Sequence, residues 1–221
     1  MKQQRQYPKV MISRKAERSV KAGHPWIFGE EIISSEGELQ DGGLVDVFAG
    51  TSFMGTGFYN SASKISVRLI SRNANDVFDD RFWRRRVAYA IRYRQTVMPG
   101  ADFACCRLVH SEADQMPGLT VDRYGSLLSV QVACLGMELV KHTVYRAFWD
   151  VLSEMGEPIT GIFERNDSSL RTLEGLPEYK DWYRFDGRPV PDSAVTEICE
   201  NGVRYLVDVE NGQKTGFFLD Q

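Results

Sequence analysis

Apolar residues recur along this chain with two different periods, one typical of strands and the other typical of helices. Between residues 44 and 71, short apolar runs alternate with glycines, and residues 65–70 alternate with period two. This pattern predicts a small, strongly bent sheet or β pseudo-barrel, with Gly55 and Gly57 easing its bends. Residues 79–97 and 137–155 instead carry apolar side chains at three- and four-residue steps, which predicts two helices.

Shorter apolar runs surround the second predicted helix. Those at 105–109, 119–122, 127–133 and 159–163 predict strands. Segment 177–191 contains two closely spaced prolines and is predicted to be a loop-like linker. After it, two apolar runs flank Asn201-Gly202, the strongest short hairpin signal. The sequence therefore predicts an α+β protein.

Composition and length narrow the class of protein. The chain has 221 residues, 43% of them hydrophobic and 26% charged, so disordered and collagen-like classes are excluded. This length suggests one large domain or two small ones. No apolar run approaches the ~18 residues needed to span a bilayer, and the N-terminus has no apolar signal region. We therefore expect a cytoplasmic protein without a membrane partner.

The net charge of -3 is unevenly distributed. Residues 1–149 hold 20 basic and 15 acidic side chains, whereas residues 150–221 hold 7 and 15. A positive N-terminal part fits a polyanionic partner such as nucleic acid, and a solvated surface is the alternative.

Four cysteines raise the question of a metal site or disulfides. Cys105, Cys106, Cys134 and Cys199 form no Cys-x-x-Cys pair and suit neither a zinc site nor a disulfide framework. They are interpreted as small buried hydrophobic residues, and no metal is expected.

Two basic segments are candidates for binding RNA. Residues 14–21 form a basic stretch that is followed by an aromatic segment, and the latter either fills a core or stacks on unpaired bases. The helix at 79–97 carries six arginines, some spaced to share a face that could follow a phosphate backbone, with a solvated face as the alternative. The RNA-binding candidates are Arg14, Lys15, Arg18, Lys21, His24, Trp26, Arg81, Arg85 and Arg92.

Two other motifs carry weaker signals. Gly55-Thr-Gly57 lacks the third glycine of a dinucleotide fingerprint and leads into a strand, so it is rejected as a cofactor loop. His110, Glu112 and Asp114 would share one side of an extended chain and could form a metal or acid–base site. A turn is favoured there, because Pro117-Gly118 follows closely.

Residues 211–221 combine small, polar and aromatic side chains at the end of the chain. Lys214 could meet a carboxylate, Phe217 could cover a flat ring, and Asp220 could accept a hydrogen bond from an amine or a ribose hydroxyl. A surface loop at a strand end is the alternative. Three successive apolar residues at 217–219 favour a site, because nothing follows in this sequence to cover them.

Several of these segments together resemble the ribosomal large-subunit RNA (cytosine-5) methyltransferase I family. The resemblance extends along nearly the whole chain in the family's order, and the closing segment is its most specific part. The matching segments are His24-Pro-Trp-Ile-Phe28, Gly57-Phe-Tyr-Asn-Ser61, Ile65-Ser-Val-Arg-Leu69, Arg107-Leu-Val-His-Ser-Glu-Ala-Asp114, Met116-Pro-Gly-Leu-Thr-Val-Asp-Arg-Tyr124, Glu164-Arg-Asn-Asp167 and Gly212-Gln-Lys-Thr-Gly-Phe-Phe-Leu-Asp-Gln221.

The resemblance implies a three-part design. Residues 1–72 would form a PUA-like RNA-binding domain, and residues 75–189 a central α+β domain of strand–strand–helix–strand–strand order. Residues 190–221 would be the opening β-hairpin of a truncated, Rossmann-like methyltransferase domain that binds S-adenosylmethionine (SAM). By this resemblance the residues bordering the cofactor are Gln213, Lys214, Thr215, Phe217 and Asp220.

The catalytic residues implied by the resemblance are not in this sequence. Cytosine-5 methyl transfer needs a cysteine thiolate that adds to the base, and the family places it beyond the closing motif. We therefore expect ribosomal RNA as partner, SAM as cofactor of the complete protein, and weak or no SAM binding and no activity by these 221 residues alone. The alternative is a freestanding, non-catalytic RNA-binding module. A homodimer is possible, and the oligomeric state is left open.

Overall fold

The computed structural model describes residues 5–98, 100–185, 187–200 and 202–219. Within them, the N-terminal unit is a six-stranded sheet with one short helix. Its elements in chain order are β1 (Lys9–Ile12), α1 (Arg14–Lys21), β2 (Trp26–Ile27), β3 (Ile32–Glu36), β4 (Leu44–Ala49), β5 (Ser52–Tyr59) and β6 (Val67–Ser71).

The strands of this first sheet lie in the order β2-β6-β5-β4-β1-β3, and only β1 and β4 pair in parallel. The sheet bends where β5 shifts register against β6 at Thr56 and Gly57. A Cβ atom on Gly57 would lie 2.4 Å from the carbonyl oxygen of Arg68, so this bend requires glycine. Gly57 was predicted to allow this bend, and it does so because the backbone of Arg68 lies too close to leave room for a side chain.

Helix α1 closes one side of this sheet. The Ser13 hydroxyl caps it by accepting a hydrogen bond from the amide of Ala16. Ala16 and Val20 are buried against strand residues that include Val10 and Val47, while the basic side chains face outward. The helix is therefore amphipathic, and its packing leaves a charged face on the surface.

A second unit combines a five-stranded sheet with two long helices. Its elements are α2 (Asp80–Val97), β7 (Cys105–His110), β8 (Leu119–Tyr124), β9 (Leu127–Val132), α3 (Leu135–Glu154), β10 (Gly161–Asn166) and β11 (Tyr179–Trp182). The strands lie in the order β11-β10-β9-β8-β7, and α3 is the crossover between the parallel strands β9 and β10. Both helices pack on one face of this sheet and form the largest apolar core with it.

The opposite face of the second sheet is covered by a hairpin. Strands β12 (Val195–Glu200) and β13 (Val203–Asp208) pair antiparallel with Glu200 opposite Val203, as the two-residue turn predicts. The Asn201 of that turn lies outside the described residues. A smaller core joins the hairpin residues Ile198 and Val207 to Tyr124 and Phe163 of the sheet.

The α+β class is confirmed, and the sequence pattern did not predict the short strands β1, β2, β3 and β11. The expected strand–strand–helix–strand–strand order is present as β8, β9, α3, β10 and β11, and β7, which precedes β8 in the chain, adds a fifth strand at the edge. The loop-like linker predicted at 177–191 is wrong for Tyr179–Trp182, which pairs with β10 as β11. Lys180 and Asp181 are exposed on this edge strand, so no buried alternation signals it. Strand β3 was not predicted for the same reason, since most of its residues are exposed.

The two units are packed against each other. The ring of Phe58, on β5, stacks on that of Trp83, on α2, at 6.0 Å between centroids and an interplanar angle of 4°. Phe58 also sits beside Gly136 of α3, where a Cβ atom would lie 2.1 Å from Cγ of the ring. Residue 136 must therefore be glycine for this aromatic contact to form.

Replacing Gly136 with alanine should destabilise the protein. The added methyl would overlap Cγ, Cδ1 and Cβ of Phe58, at 2.1, 2.3 and 2.5 Å, so the whole side chain must move and not just its tip. We expect the free energy of unfolding to fall by about 1–3 kcal/mol, as for other overpacked cores. Urea denaturation measures it, with the exposed α3 substitution Ser153→Ala as control. Equal midpoints for Gly136→Ala and the control would contradict this account.

Candidate functional site

The segment 209–219 after β13, here named the C-terminal loop, folds back onto the second sheet. The guanidinium of Arg165, on β10, donates hydrogen bonds to the carbonyl oxygens of Val209, at 2.8 Å, and Gly212, at 3.0 Å. Arg165 is itself only 6% exposed. The entry of the loop is thus held by an interior side chain of the sheet.

Strand β8 holds the middle of the C-terminal loop. Thr215 is 1% exposed, and its hydroxyl donates to the carboxylate of Asp122 and lies 3.1 Å from the hydroxyl of Tyr124. The Tyr124 oxygen accepts from the Phe217 amide and donates to the Phe217 carbonyl, both at 3.0 Å. The loop is therefore bound through a side chain and through its own backbone.

An ion pair beneath the loop makes the burial of Asp122 possible. Asp122 is fully buried, and Arg107 of β7 donates to both its carboxylate oxygens at 2.8 and 2.9 Å. A buried carboxylate requires such a partner, because an unpaired charge in the interior costs several kcal/mol. The loop thus rests on a neutralised polar centre within the sheet.

Burial also changes the pKa of the Tyr124 phenol, which is hydrogen-bonded to the C-terminal loop. The removal of Tyr124 from solvent, more than the nearby Asp122 charge, raises the pKa of its hydroxyl to about 12, despite the hydrogen bond with Thr215. The phenol therefore stays protonated near neutral pH and can donate to the Phe217 carbonyl.

The other side of the C-terminal loop faces outward. Gln213 and Lys214 are exposed, and the Phe217 ring is half-buried with its centroid 5.3 Å from that of Tyr205. The Lys214 ammonium lies 4.6 Å from the centroid of the Phe218 ring. Four of the five residues predicted to border the cofactor thus share one loop, with Thr215 turned inward. The fifth, Asp220, lies outside the described residues.

Three of the four cysteines are buried and offer no activated nucleophile, whereas Cys199 is partly exposed, contrary to the prediction that all four are buried. Desolvation, the largest cause, raises the pKa of the thiols of Cys105 to about 12, Cys106 to about 11 and Cys134 to about 11. These thiols are protonated at neutral pH, which fits their interpretation as buried hydrophobic residues. Among the described ranges, no group of three or more metal-ligating side chains comes together.

Helix α1 presents its predicted RNA-binding side chains to solvent. Arg14, Lys15, Arg18 and Lys21 are all exposed. Lys21 pairs with Glu17 one turn earlier at 2.6 Å. Because exposed pairs contribute little and exchange readily, the positive charge of this face remains available to an anion.

Trp26 is half-buried at the contact between the two units. Its indole Nε1 donates to the Glu112 carboxylate at 2.7 Å, and the guanidinium of Arg68 lies 5.5 Å from its ring centroid. Glu112 belongs to the second unit, so Trp26 joins the two units instead of filling the core of the first. His24 stays exposed, with its ring edge-on to that of Trp26 at 5.5 Å.

Arg68 is the centre of this junction. It pairs with Glu112 at 3.2 Å and with Glu174 at 3.0 Å, and Glu174 is only 3% exposed. The Asn60 amide donates to the same Glu174 carboxylate at 3.1 Å. The two units are thus joined by a nearly buried polar network as well as by the stacked rings described above.

The alternating His110, Glu112 and Asp114 do not form an acid–base site. Strand β7 ends at His110, and a 3₁₀ turn from Ser111 to Asp114 follows, as the favoured interpretation predicted. Glu112 faces Trp26 and Arg68, whereas both carboxylate oxygens of Asp114 accept from Arg94, at 2.8 and 2.7 Å. These carboxylates stabilise the fold.

The arginines of α2 divide into structural and exposed groups. Arg94 holds Asp114, and Arg86 donates to the carbonyl of Ile70 at 3.0 Å, where burial lowers its pKa. The three arginines predicted to share a face do so: Arg81, Arg85 and Arg92 are exposed and line one groove of about 360 Å³ between α2 and α3. Arg85 also pairs with Asp76 at 3.3 Å.

Sequence inspection missed the residues that hold the C-terminal loop. Arg107, Asp122, Tyr124 and Arg165 all fall within segments that carry the family resemblance, but no role was assigned to them. The alternation of Thr120, Asp122 and Tyr124 along β8 was the available signal, since it places polar groups on a face that a sheet normally buries.

Comparison with known proteins agrees with this architecture. Residues 10–72 match the PUA-like domain family. The chain is homologous to proteins named ribosomal RNA large subunit methyltransferase I. It is 34% identical over 214 residues to that of Pseudoalteromonas atlantica and 33% identical over 214 residues to that of Shewanella amazonensis. Each alignment covers 96% of this chain and 52% of the relative, so the chain spans about half the length of these relatives.

Solved structures share the fold. A protein from Streptococcus mutans assigned as a SAM-dependent methyltransferase superposes with a TM-score of 0.75 at 21% identity, over 96% of this chain and 51% of its own. A second structure, of a protein assigned as a methyltransferase in complex with SAH, gives the same values. In the part of this chain that the structure describes, none of the helices combines the length and apolarity needed to cross a membrane.

Removing the phenol oxygen of Tyr124 should release the C-terminal loop. In Tyr124→Phe the part-buried Phe217 amide loses its acceptor, and an unpaired donor away from solvent costs about 1–3 kcal/mol. We expect amide hydrogen exchange over 212–219 to accelerate by about 5- to 100-fold. Tyr205→Phe, which keeps the ring beside Phe217, is the matched control. Unchanged exchange in Tyr124→Phe would show that the loop is held by other contacts.

Tyr124 should also make stability fall at alkaline pH. The unfolded phenol ionises around its usual pKa of 10.0, whereas the folded one ionises at about 12, so the folded state holds the extra proton between these values. The contribution is complete below pH 10 and is lost as the pH rises towards 12. Denaturation at several pH values should therefore show a shallower loss for Tyr124→Phe than for the wild type. Parallel curves would contradict this assignment.

Proposed function

We propose that this chain is the N-terminal part of a SAM-dependent methyltransferase that acts on C5 of a cytosine in 23S ribosomal RNA. The C-terminal loop carries the proposal, since Thr215 and the Phe217 backbone are tied into the second sheet while Gln213 and Lys214 remain exposed. Homology to rRNA methyltransferases of about twice this length supports it. Work on ribosomal RNA would place the activity in the cytoplasm.

The proposed part of this chain in the reaction is to bind RNA and to form one edge of the cofactor site. The match of residues 10–72 to the PUA-like family and the exposed charges of α1 support the first role. The RNA-contacting residues proposed are Arg14, Lys15, Arg18, Lys21, His24, Trp26, Arg81, Arg85 and Arg92.

The loop fits one edge of a SAM site. SAM would supply a methyl group on a sulfonium, and its amino acid and ribose groups need polar partners beside an apolar wall. Gln213 and Lys214 supply exposed polar groups, and Phe217 supplies a half-covered ring. We assign Thr215 a positioning role, because its hydroxyl is used inside the protein. Asp220 completes the proposed set.

This chain is proposed to be inactive alone. Methyl transfer to cytosine C5 requires a thiolate nucleophile, and burial keeps the thiols of Cys105, Cys106 and Cys134 protonated. The nucleophile is expected beyond Gln221, in the part that the relatives have in addition. We also propose boundaries near 72–75 and 189–190, which fall between β6 and α2 and between β11 and β12.

A freestanding RNA-binding module is the second candidate, favoured by the match to the PUA-like family alone. The gene sequence beyond codon 221 separates the two. A stop codon there would favour the module, whereas a glycine-rich strand–turn–helix and a downstream cysteine would favour the enzyme.

The proposal predicts salt-sensitive RNA binding without catalysis by this chain. Fluorescence anisotropy with a labelled rRNA fragment should give an affinity that falls with salt, with a log–log slope of about -0.7 to -0.9 per phosphate contact. The double variant Arg14→Gln, Arg18→Gln should reduce that slope, and Arg204→Gln on the hairpin is the control. Salt-independent affinity would contradict the RNA-binding role. Labelled methyl incorporated into rRNA by this chain would overturn the assignment of the nucleophile to later residues.

A further inference from the structure

The groove between α2 and α3 combines positive charge with an exposed aromatic ring. Arg81, Arg85 and Arg92 line it from α2, Val151 lines it from α3, and Met155 lines it directly after the end of α3. At 1.5 Å per residue, Arg81 and Arg92 are about 16 Å apart along the helix axis. The groove is therefore an elongated basic track with an apolar wall.

Tyr89 is the unusual member of this lining. It follows Arg85 by one helical turn, and 57% of its surface is exposed even though it is a large aromatic side chain. The neighbouring Tyr93 is equally exposed, at 58%, but it does not line the groove, and the Arg94 guanidinium covers its ring at 4.9 Å from the centroid. An open ring among guanidinium groups suits a flat, negatively charged ligand.

The charges in the groove are only partly balanced. Arg84 pairs with Glu154, which also lines the groove, and Arg85 pairs with Asp76 at 3.3 Å. Four arginines line the groove, and among the described residues Glu154 and Asp76 are the acidic side chains that pair with them. The surface of the groove therefore keeps a net positive charge. The Arg84–Glu154 pair is exposed on both sides, so it contributes little stability and exchanges readily for a phosphate.

We propose that this groove binds a single-stranded segment of the RNA, with one base stacked on Tyr89 and phosphates held by Arg81, Arg85 and Arg92. A duplex hides the faces of its bases, whereas a single strand can present one to the ring. The proposal rests on the proposed RNA-binding function and deepens it, by naming the strandedness of the substrate and Tyr89 as a base-stacking residue.

The test compares two tyrosine variants of matched exposure on the full chain. Anisotropy titrations use a labelled ten-nucleotide adenosine strand and a duplex of the same length. We expect Tyr89→Ala to weaken single-strand binding by about 5- to 100-fold, the range for one stacked base. Tyr89→Phe should keep wild-type affinity, and Tyr93→Ala should stay within about two-fold of it. Duplex binding should not respond to Tyr89→Ala.

Salt dependence separates stacking from charge. Tyr89→Ala should leave the slope of log affinity against log salt unchanged. Arg92→Gln should make this negative slope shallower by about 0.7, because one phosphate contact is lost. Arg146→Gln, an exposed position on α3, should leave both affinity and slope unchanged. Circular dichroism melting checks that each variant folds.

Three results would overturn the proposal in distinguishable ways. Wild-type affinity of Tyr89→Ala for the single strand, with RNA still bound elsewhere, rejects the groove and spares the proposed function. Competition by polyglutamate that depends on Arg92 but not on Tyr89 identifies instead a surface for acidic protein segments. Absence of any RNA binding by the wild type rejects the groove and the RNA-binding function together.

Discussion

The carboxylate of Asp122 has no contact with solvent, and the C-terminal half of the structure is arranged around that charge. Arg107 neutralises it from the neighbouring strand, and the hydroxyl of Thr215 donates to it. A buried carboxylate is stable only where ion-pair and hydrogen-bond partners surround it. Because its partners come from β7 and from the C-terminal loop, Asp122 holds both of them against β8. Tyr124 adds two hydrogen bonds to the backbone at Phe217. The position of the loop is in this way a property of the second sheet.

A second polar centre acts in the same way between the two units. Arg68 of the PUA-like sheet lies between the carboxylates of Glu112 and Glu174, and the indole of Trp26 donates to the first of them. The Phe58 ring stacks on that of Trp83 and lies beside Gly136. Such a junction combines apolar burial with charges that need specific partners, and it therefore restricts relative motion of the units. If α1 and α2 both hold RNA, as proposed, this junction determines how their basic surfaces are oriented.

Much of the fold could be predicted from the sequence, because local patterns control its elements. The apolar steps on α2 and α3, the period-two strands and the Asn-Gly turn all identified their elements to within a few residues. Strands β3 and β11 were not predicted, since edge strands with exposed side chains carry no alternation. For the candidate site, the closing motif predicted a set of residues on the C-terminal loop, but it treated Thr215 like its neighbours. Only the folded chain shows that this hydroxyl is turned to Asp122, 93 positions away in sequence.

The sequence by itself determined the helices and most of the strands, the separation of charge along the chain, and the resemblance that suggests an rRNA methyltransferase. These follow from composition, spacing and motif, which are local properties. The tertiary structure alone decided which charged groups are structural and which remain available to a ligand. Of the arginines on α2, two are held by Ile70 and Asp114, whereas Arg81, Arg85 and Arg92 line an open groove. The physical reason is that burial and pairing depend on neighbours distant in sequence, and these two factors decide what a charge can do.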